Sequence, residues 1–171
     1  MMKLLGAVFI LIATTWSGFE ASKHLSQRPR QLRQLKVALQ SLEAEIMFGH
    51  TPLREASFKL AKQMPKPINW FFESFGKKLN RTDINVKTAW DESLHEVWKW
   101  LALKQTEYEI LSQFGETLGQ YDRYHQQKHI LLAIAHLERE EQDALERQGK
   151  YEKMVKSLGF LAGLLLIIIL A

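Results

Sequence analysis

Two charge-free apolar stretches, residues 4–19 and 158–171, most constrain what this chain can fold into, because the region between them carries nearly every charge. As helices the two stretches would be about 24 Å and about 21 Å long. Adding Met154–Ser157 lengthens the second to about 27 Å, which approaches the thickness of a bilayer core. We therefore predict a transmembrane anchor over residues 1–20 and a transmembrane helix over residues 154–171.

Each stretch has an alternative interpretation. The first could be a cleaved secretory signal peptide, because Lys3 precedes its apolar core. No small-x-small cleavage site follows, since Ala13 is succeeded by Thr14, Thr15 and the bulky Trp16, and this favours a retained anchor. The second could be a buried C-terminal core helix. Its apolar residues lie on all sides of a helix, which favours lipid.

Basic residues flank both stretches on the side of the middle region. Arg147, Lys150, Lys153 and Lys156 precede the second stretch. The positive-inside rule therefore places residues 21–153 in the cytoplasm as a helical bundle and stalk, with both termini outside. The residues that follow the first stretch are also candidates for contact with anionic lipid headgroups; they are Lys23, Arg28, Arg30, Arg33 and Lys36.

Composition excludes several kinds of site. The chain has no Cys, so it has no disulfides, iron–sulfur clusters or thiolate zinc sites. It has no glycine-rich phosphate loop of either common type, so we expect it not to hydrolyse ATP itself. The net charge is only +4, and the basic excess lies beside the first predicted span. Lipid headgroups explain that excess better than nucleic acid, and we predict no nucleic-acid partner.

The middle region has helical periodicity and no strand alternation, which predicts an all-α protein, an antiparallel bundle of about six helices. We predict Thr51 as the N-cap and Pro52 as the first residue of the second helix. Thr82 or Asp83 would cap the fourth helix, and Asp122 the last, which runs on into the second predicted span. The first helix has the clearest apolar face, formed by Leu25, Leu32, Leu35, Leu39, Leu42 and Ile46.

The last helix loses its apolar stripe after Leu137, so we predict that it leaves the bundle there as a solvated polar stalk. An Asp143–Arg147 ion pair at i, i+4 fits such a stalk. The acidic run of this segment comprises Glu138, Glu140, Glu141, Asp143 and Glu146.

We predict no catalytic residue, metal or cofactor. His125 and His129 stand at i, i+4, the spacing of a metal chelate, but the HExxH pattern is absent and a solvated helix face explains them better. Trp98 and Trp100 are two residues apart, so they cannot both face inward on one helix, and one of them must be exposed or at an interface.

Small residues at four-residue spacing occur in three places. Gly115 and Gly119 would permit close approach between helices of the bundle. In the predicted spans, Ala13 with Ser17 and Gly159 with Gly163 would allow the two spans to pack together or the chain to form a homo-oligomer.

Three segments carry a resemblance to a known family: LRQLKVALQSLEAEIMFGHTPLREA at 32–56, FGETLGQYDRYHQQKHI at 114–130 and MVKSLGFLAGLLLIIIL at 154–170. The chain resembles the stage III sporulation protein AB family of spore-forming Firmicutes along its whole length. That family is similar to the cytoplasmic helical domain of the type II secretion F platform proteins. None of the shared elements is catalytic.

The resemblance implies a non-enzymatic platform subunit of a sporulation channel complex, in the outer forespore membrane on the mother-cell side. Implied partners are a cytosolic secretion-type ATPase and other membrane subunits of the complex. The alternative is an extracytoplasmic sensor or receptor domain anchored by its terminal helices, which requires the opposite orientation. The candidate partner-interface residues form two groups: Glu43, Glu45, Gly49, Thr51, Pro52 and Leu53, and Gly119, Tyr121 and Asp122.

Overall fold

A computed structural model of the protein describes residues 26–119 and 123–170. The first predicted span lies outside the described residues, and so do the predicted site residues Ala13, Ser17, Lys23, Tyr121 and Asp122. Within the described part of the chain, no helix is long and apolar enough to cross a membrane.

The described residues form six α-helices and no β-strand, which confirms the predicted all-α class. Helix α1 covers residues 26–47. The other helices are α2 (Leu53–Gln63), α3 (Ile68–Lys78), α4 (Val86–Trp98), α5 (Gln105–Thr117) and α6 (Arg123–Leu170). Residues Arg28–Gln142 make up one compact unit.

Consecutive helices from α2 to α5 pack against each other, and their short connections make neighbours antiparallel. The turns therefore gather at two ends of the Arg28–Gln142 unit. We call one the tryptophan end; it contains the start of α1 and the connections 64–67 and 99–104. We call the other the cleft end; it contains the connections 48–52 and 79–85 and the end of α5.

Trp90 on α4 is the centre of the core. Its side chain is fully buried, and its ring meets Phe71, Phe75 and Phe114 edge to face at centroid distances of 4.6, 5.1 and 5.3 Å. Its indole N–H donates to the carbonyl oxygen of Leu111 at 2.8 Å. One aromatic side chain thus joins α3, α4 and α5 and satisfies its own polar group inside the core.

The predicted helix caps are wrong in two places, because the predicted capping side chains bind elsewhere. Pro52 holds the cap position of α2 without a side-chain bond, while the Thr51 hydroxyl turns back to donate to Glu45. At α4 the cap is Asn85, whose side-chain oxygen accepts from the backbone N–H of Thr88 at 2.7 Å. Asp83 instead pairs with Arg81.

The predicted start of the polar stalk is also wrong, because α6 stays in the bundle beyond Leu137. Glu141 is buried and accepts from Arg33 and Lys36 of α1, both at 2.9 Å. Glu138 lies 3.4 Å from Lys36, and Glu140 lies 2.8 Å from Arg28. These acidic residues therefore hold α6 against α1. The predicted Asp143–Arg147 pair is confirmed at 3.0 Å.

Candidate interaction cleft

A cleft of about 230 Å³ opens at the cleft end of the unit. It joins two segments far apart in sequence, the loop after α1 and the turn after α5. Thr51 and Leu53 of the first predicted interface group line it together with Gly119 of the second. The remaining lining residues are Ile46, His50, Leu118 and Gln126.

The loop after α1 is held in a tight conformation that needs Gly49. The backbone N–H groups of Gly49 and Thr51 donate to the carbonyl oxygens of Ala44 and Glu45, both at 3.2 Å. A Cβ added at Gly49 would lie 2.9 Å from both the Glu45 carbonyl oxygen and the Thr51 hydroxyl. No side chain fits there, so the loop sequence is set by this close approach.

Glu45 stabilises the loop after α1 through hydrogen bonds. Its carboxylate accepts from Lys59 Nζ at 2.8 Å and from the Thr51 hydroxyl at 2.5 Å. The hydrogen bond from Lys59, together with that from Thr51, holds the pKa of Glu45 below its usual value. The carboxylate therefore links the loop to both α1 and α2.

Glu43, the other predicted interface carboxylate, is a helix-packing residue here. Its Oε1 accepts from Gln127 Nε2 of α6 at 2.7 Å, so it joins α1 to α6 beside the cleft. Pro52 is exposed, and Leu53 is half-buried. The two carboxylates hydrogen-bond to elements around the cleft, and neither of them lines it.

Sequence reasoning missed the exposed loop residue Phe48, and it did not single out His50 within the predicted loop Gly49–Leu53. The Phe48 side chain is 81% exposed, and His50 adopts a backbone φ of 49°, which is unusual for a residue with a side chain. The exposure of Phe48 could have been predicted, because the apolar face of α1 includes Leu42 and Ile46 and position 48 does not lie on that face. No local pattern marks His50.

The described members of the predicted lipid-contact group differ in their exposure and in their ion pairs. Arg28 is buried and pairs with Glu107 and Glu140, and Arg33 and Lys36 pair with Glu141. Arg30 is exposed in the first described turns of α1. Among the described cations of this group, Arg30 is exposed and forms no ion pair with α5 or α6.

Residues 154–170 of the second predicted span and the histidine pair lie in α6. Gly159 and Gly163 lie within α6, as do His125 and His129. Among residues 26–119 and 123–170, no three His, Asp or Glu side chains are grouped so that they could hold a metal ion. The cleft offers apolar surface with a few hydrogen-bonding groups.

Comparisons with known proteins identify the family. The family model described as stage III sporulation protein AB matches residues 3–171. Stage III sporulation protein AB of Bacillus subtilis (strain 168) is 61% identical over 170 residues, which cover 99% of each chain. A solved structure of stage III sporulation protein AB (SpoIIIAB) has 56% identity and a TM-score of 0.69, and the match covers 72% of this chain and 98% of that chain. The chain therefore belongs to the stage III sporulation protein AB family.

Proposed function

We propose that this chain is a non-enzymatic membrane platform subunit of a channel-like sporulation complex between mother cell and forespore. Its bundle would lie in the mother-cell cytoplasm, at the outer forespore membrane, and would dock a cytosolic ATPase and other membrane subunits. Family membership supports the sporulation role. The apolar stretches at 4–19 and 158–171 of the sequence support a membrane anchor. Because the sequence has no phosphate-binding loop, energy would come from a partner.

The observation that carries the docking role is the cleft. It brings together residues of two segments that carry the family resemblance, 32–56 and 114–130, and the exposed aromatic side chain of Phe48 lies in the loop that lines it. Aromatic anchors that enter a partner's pocket commonly supply a large share of binding energy. We therefore assign the cleft end as the surface that meets the ATPase.

The test is a double variant, Phe48→Ser with His50→Gly. Glycine is at ease at a positive φ, so the second change should not harm the loop. Copurification of the ATPase with the tagged chain from sporulating cells should fall roughly tenfold, the effect of losing one binding hot spot. Thr82→Ala, at an exposed position of another connection at the same end, is the matched control. Unchanged copurification by the well-folded double variant would rule out this docking surface.

Orientation has its own test, because the natural chain has no Cys. Gln105→Cys places one thiol at the exposed first residue of α5. A membrane-impermeant maleimide should label it only after the cells are permeabilised. Labelling of intact cells would remove the ATPase contact and favour the sensor alternative.

A further inference from the structure

Two tryptophans, the exposed Trp100 and the half-buried Trp70, meet at the tryptophan end, away from the cleft. Trp100 is 57% exposed, and its ring meets that of Trp70 edge to face with centroids 6.0 Å apart. Trp98, two residues earlier, packs instead against Tyr108 at 4.8 Å. The prediction that one of Trp98 and Trp100 would be exposed or at an interface is therefore confirmed.

The ammonium group of a lysine lies over each of the two rings. The Lys66 ammonium lies 5.5 Å from the centroid of Trp70, and that of Lys99 lies 5.2 Å from the centroid of Trp100. These contacts keep the two ammonium groups beside the indoles at the surface. The pair is thus a mixed aromatic and cationic patch, which we call the Trp–Lys patch: Lys66, Trp70, Lys99 and Trp100.

The surroundings of the Trp–Lys patch are basic. Lys62 and Lys104 are exposed beside the same two connections. The stretches 56–72 and 97–106 contain no acidic residue. The acids that border the second stretch are engaged, because Glu96 pairs with Lys78 and buried Glu107 pairs with Arg28. The two connections therefore present lysine charge that no acidic residue within either stretch neutralises.

The same end contains the entry of the chain into the bundle. The backbone N–H of Ala102, two residues after Trp100, donates to the side-chain oxygen of Gln31 at 2.6 Å. Gln31 stands one helical turn after Arg28 on α1. In the sequence, eight residues separate Arg28 from Phe19, the last residue of the first apolar stretch. Eight residues reach at most about 28 Å, so a bilayer holding that stretch would be within range of this end.

The composition of the Trp–Lys patch favours a lipid surface over a protein partner. Protein interfaces are enriched in Trp but depleted in Lys, whereas the boundary of a bilayer accepts Trp in its headgroup layer. Anionic headgroups also attract each lysine held near them. We propose that the Trp–Lys patch docks the bundle onto an anionic membrane surface. This inference deepens the proposed function and rests on its membrane anchor.

The experiment uses the full chain with Gln105→Cys, labelled with an environment-sensitive fluorophore and reconstituted into lipid vesicles. The vesicles contain phosphatidylcholine, with or without phosphatidylglycerol, and a headgroup-labelled nitroxide lipid as quencher. Thr82→Cys, at the cleft end, is the matched probe. We expect strong quenching at position 105 only in vesicles with phosphatidylglycerol, weak quenching at position 82, and loss of the difference at high salt.

Two surface variants test whether the quenching depends on the Trp–Lys patch or on exposed side chains in general. Lys99→Gln should weaken docking roughly fivefold, and Trp100→Ala with Lys99→Gln should reduce quenching at position 105 to that at position 82. Tyr124→Ala removes an exposed aromatic near the start of α6, at the cleft end, and should leave the quenching unchanged.

Vesicle flotation distinguishes the possible failures. A chain that floats with the vesicles but shows equal quenching at both positions overturns the docking inference and leaves the anchor in place. Quenching that is independent of phosphatidylglycerol overturns the role of the lysines. If the fluorophore at position 105 is not quenched in vesicles, but a second protein in cells protects the thiol at position 105 from maleimide, the Trp–Lys patch binds a protein partner and not lipid. A chain that does not float overturns the membrane anchor and the docking together.

Discussion

The indole of Trp90 lies directly against the backbone of Gly115. A Cβ added at Gly115 would lie 2.3 Å from Cδ1 of the Trp90 ring, well inside any tolerated contact. The first glycine of the Gly115–Gly119 pair therefore serves a ring-to-backbone contact between α4 and α5. Glycine is needed at position 119 for a different reason, because the backbone φ there is 74° and side chains rarely tolerate that conformation. Their spacing resembles a helix-packing motif, but the two glycines meet separate demands.

Gly115→Ala should destabilise the protein, because the added methyl group must push the buried indole out of its place among three phenylalanines. Overpacking of this kind costs about 1–3 kcal/mol. Urea denaturation of the purified full chain in detergent, followed by circular dichroism, measures it. Gly149→Ala is the control, since nothing lies within 4 Å of a Cβ at that helical position. A Gly115→Ala variant as stable as the natural chain would show that the indole can relocate freely.

The buried ion pair between Arg28 and Glu107 gives a second prediction. Glu107 is fully buried and accepts from Arg28 and from the backbone N–H of Lys104. Arg28→Met would leave a buried carboxylate without its cation, at a cost of about 3–5 kcal/mol in the free energy of unfolding.

Two further variants check the cause of that loss. Arg30→Met, two residues along the same helix and exposed, should change the unfolding free energy by less than about 0.5 kcal/mol. Adding Glu107→Leu to Arg28→Met should restore part of the stability, because the orphaned charge is removed. If the double variant is no better than Arg28→Met alone, the loss comes from packing of the arginine stem.

Glu141 and Lys36 predict how stability depends on pH. Burial alone would raise the pKa of Glu141, but hydrogen bonds from Lys36 and Arg33 outweigh it and keep that pKa below its usual value. Burial would likewise lower the pKa of Lys36, yet its bonds to Glu141 and Glu138 raise it. The carboxylate therefore stabilises the fold above its unfolded pKa of about 4.3, and this contribution is lost as the pH falls through the lower folded value.

Lys36 stabilises the fold below its unfolded pKa of about 10.4, and this stabilisation is lost as the pH rises through the raised folded value.

Glu141→Gln removes the charged partner of Lys36 and Arg33, so it should cost about 1.5–3 kcal/mol in the free energy of unfolding near neutral pH. Its deficit against the natural chain should shrink as the pH falls from about 4.3 through the lower folded pKa of Glu141, below which both chains carry a neutral group at this position. Denaturation at several pH values measures this, with exposed Glu146→Gln as control. A deficit that stays constant into acid would mean that the carboxylate charge is not what matters.

The helices could be predicted from sequence because each carries an apolar face at helical spacing, and burial of that face decides the fold. The details that failed depend on partners distant in the chain. Thr51 has the chemistry of an N-cap, but its hydroxyl is taken by Glu45. Glu141 looks like part of a solvated run until α1 brings Lys36 to it from 105 positions away. The cleft and the Trp–Lys patch are likewise assembled from separate connections, which no local pattern reveals.

Gly49→Ala tests whether the shape of the cleft loop, and not only its side chains, supports docking. The new methyl group would meet the Glu45 carbonyl oxygen and the Thr51 hydroxyl, both at 2.9 Å, so the loop must shift and the Thr51–Glu45 hydrogen bond must weaken. Loss of one such bond to a charged group costs about 1.5–3 kcal/mol at most, so the bundle itself should remain folded. Copurification of the ATPase should nevertheless fall as expected for the double variant Phe48→Ser with His50→Gly. Thr51→Ser keeps the hydroxyl and should behave like the natural chain. Full copurification by Gly49→Ala, with its loop opened to protease, would mean that the partner does not read the shape of this loop.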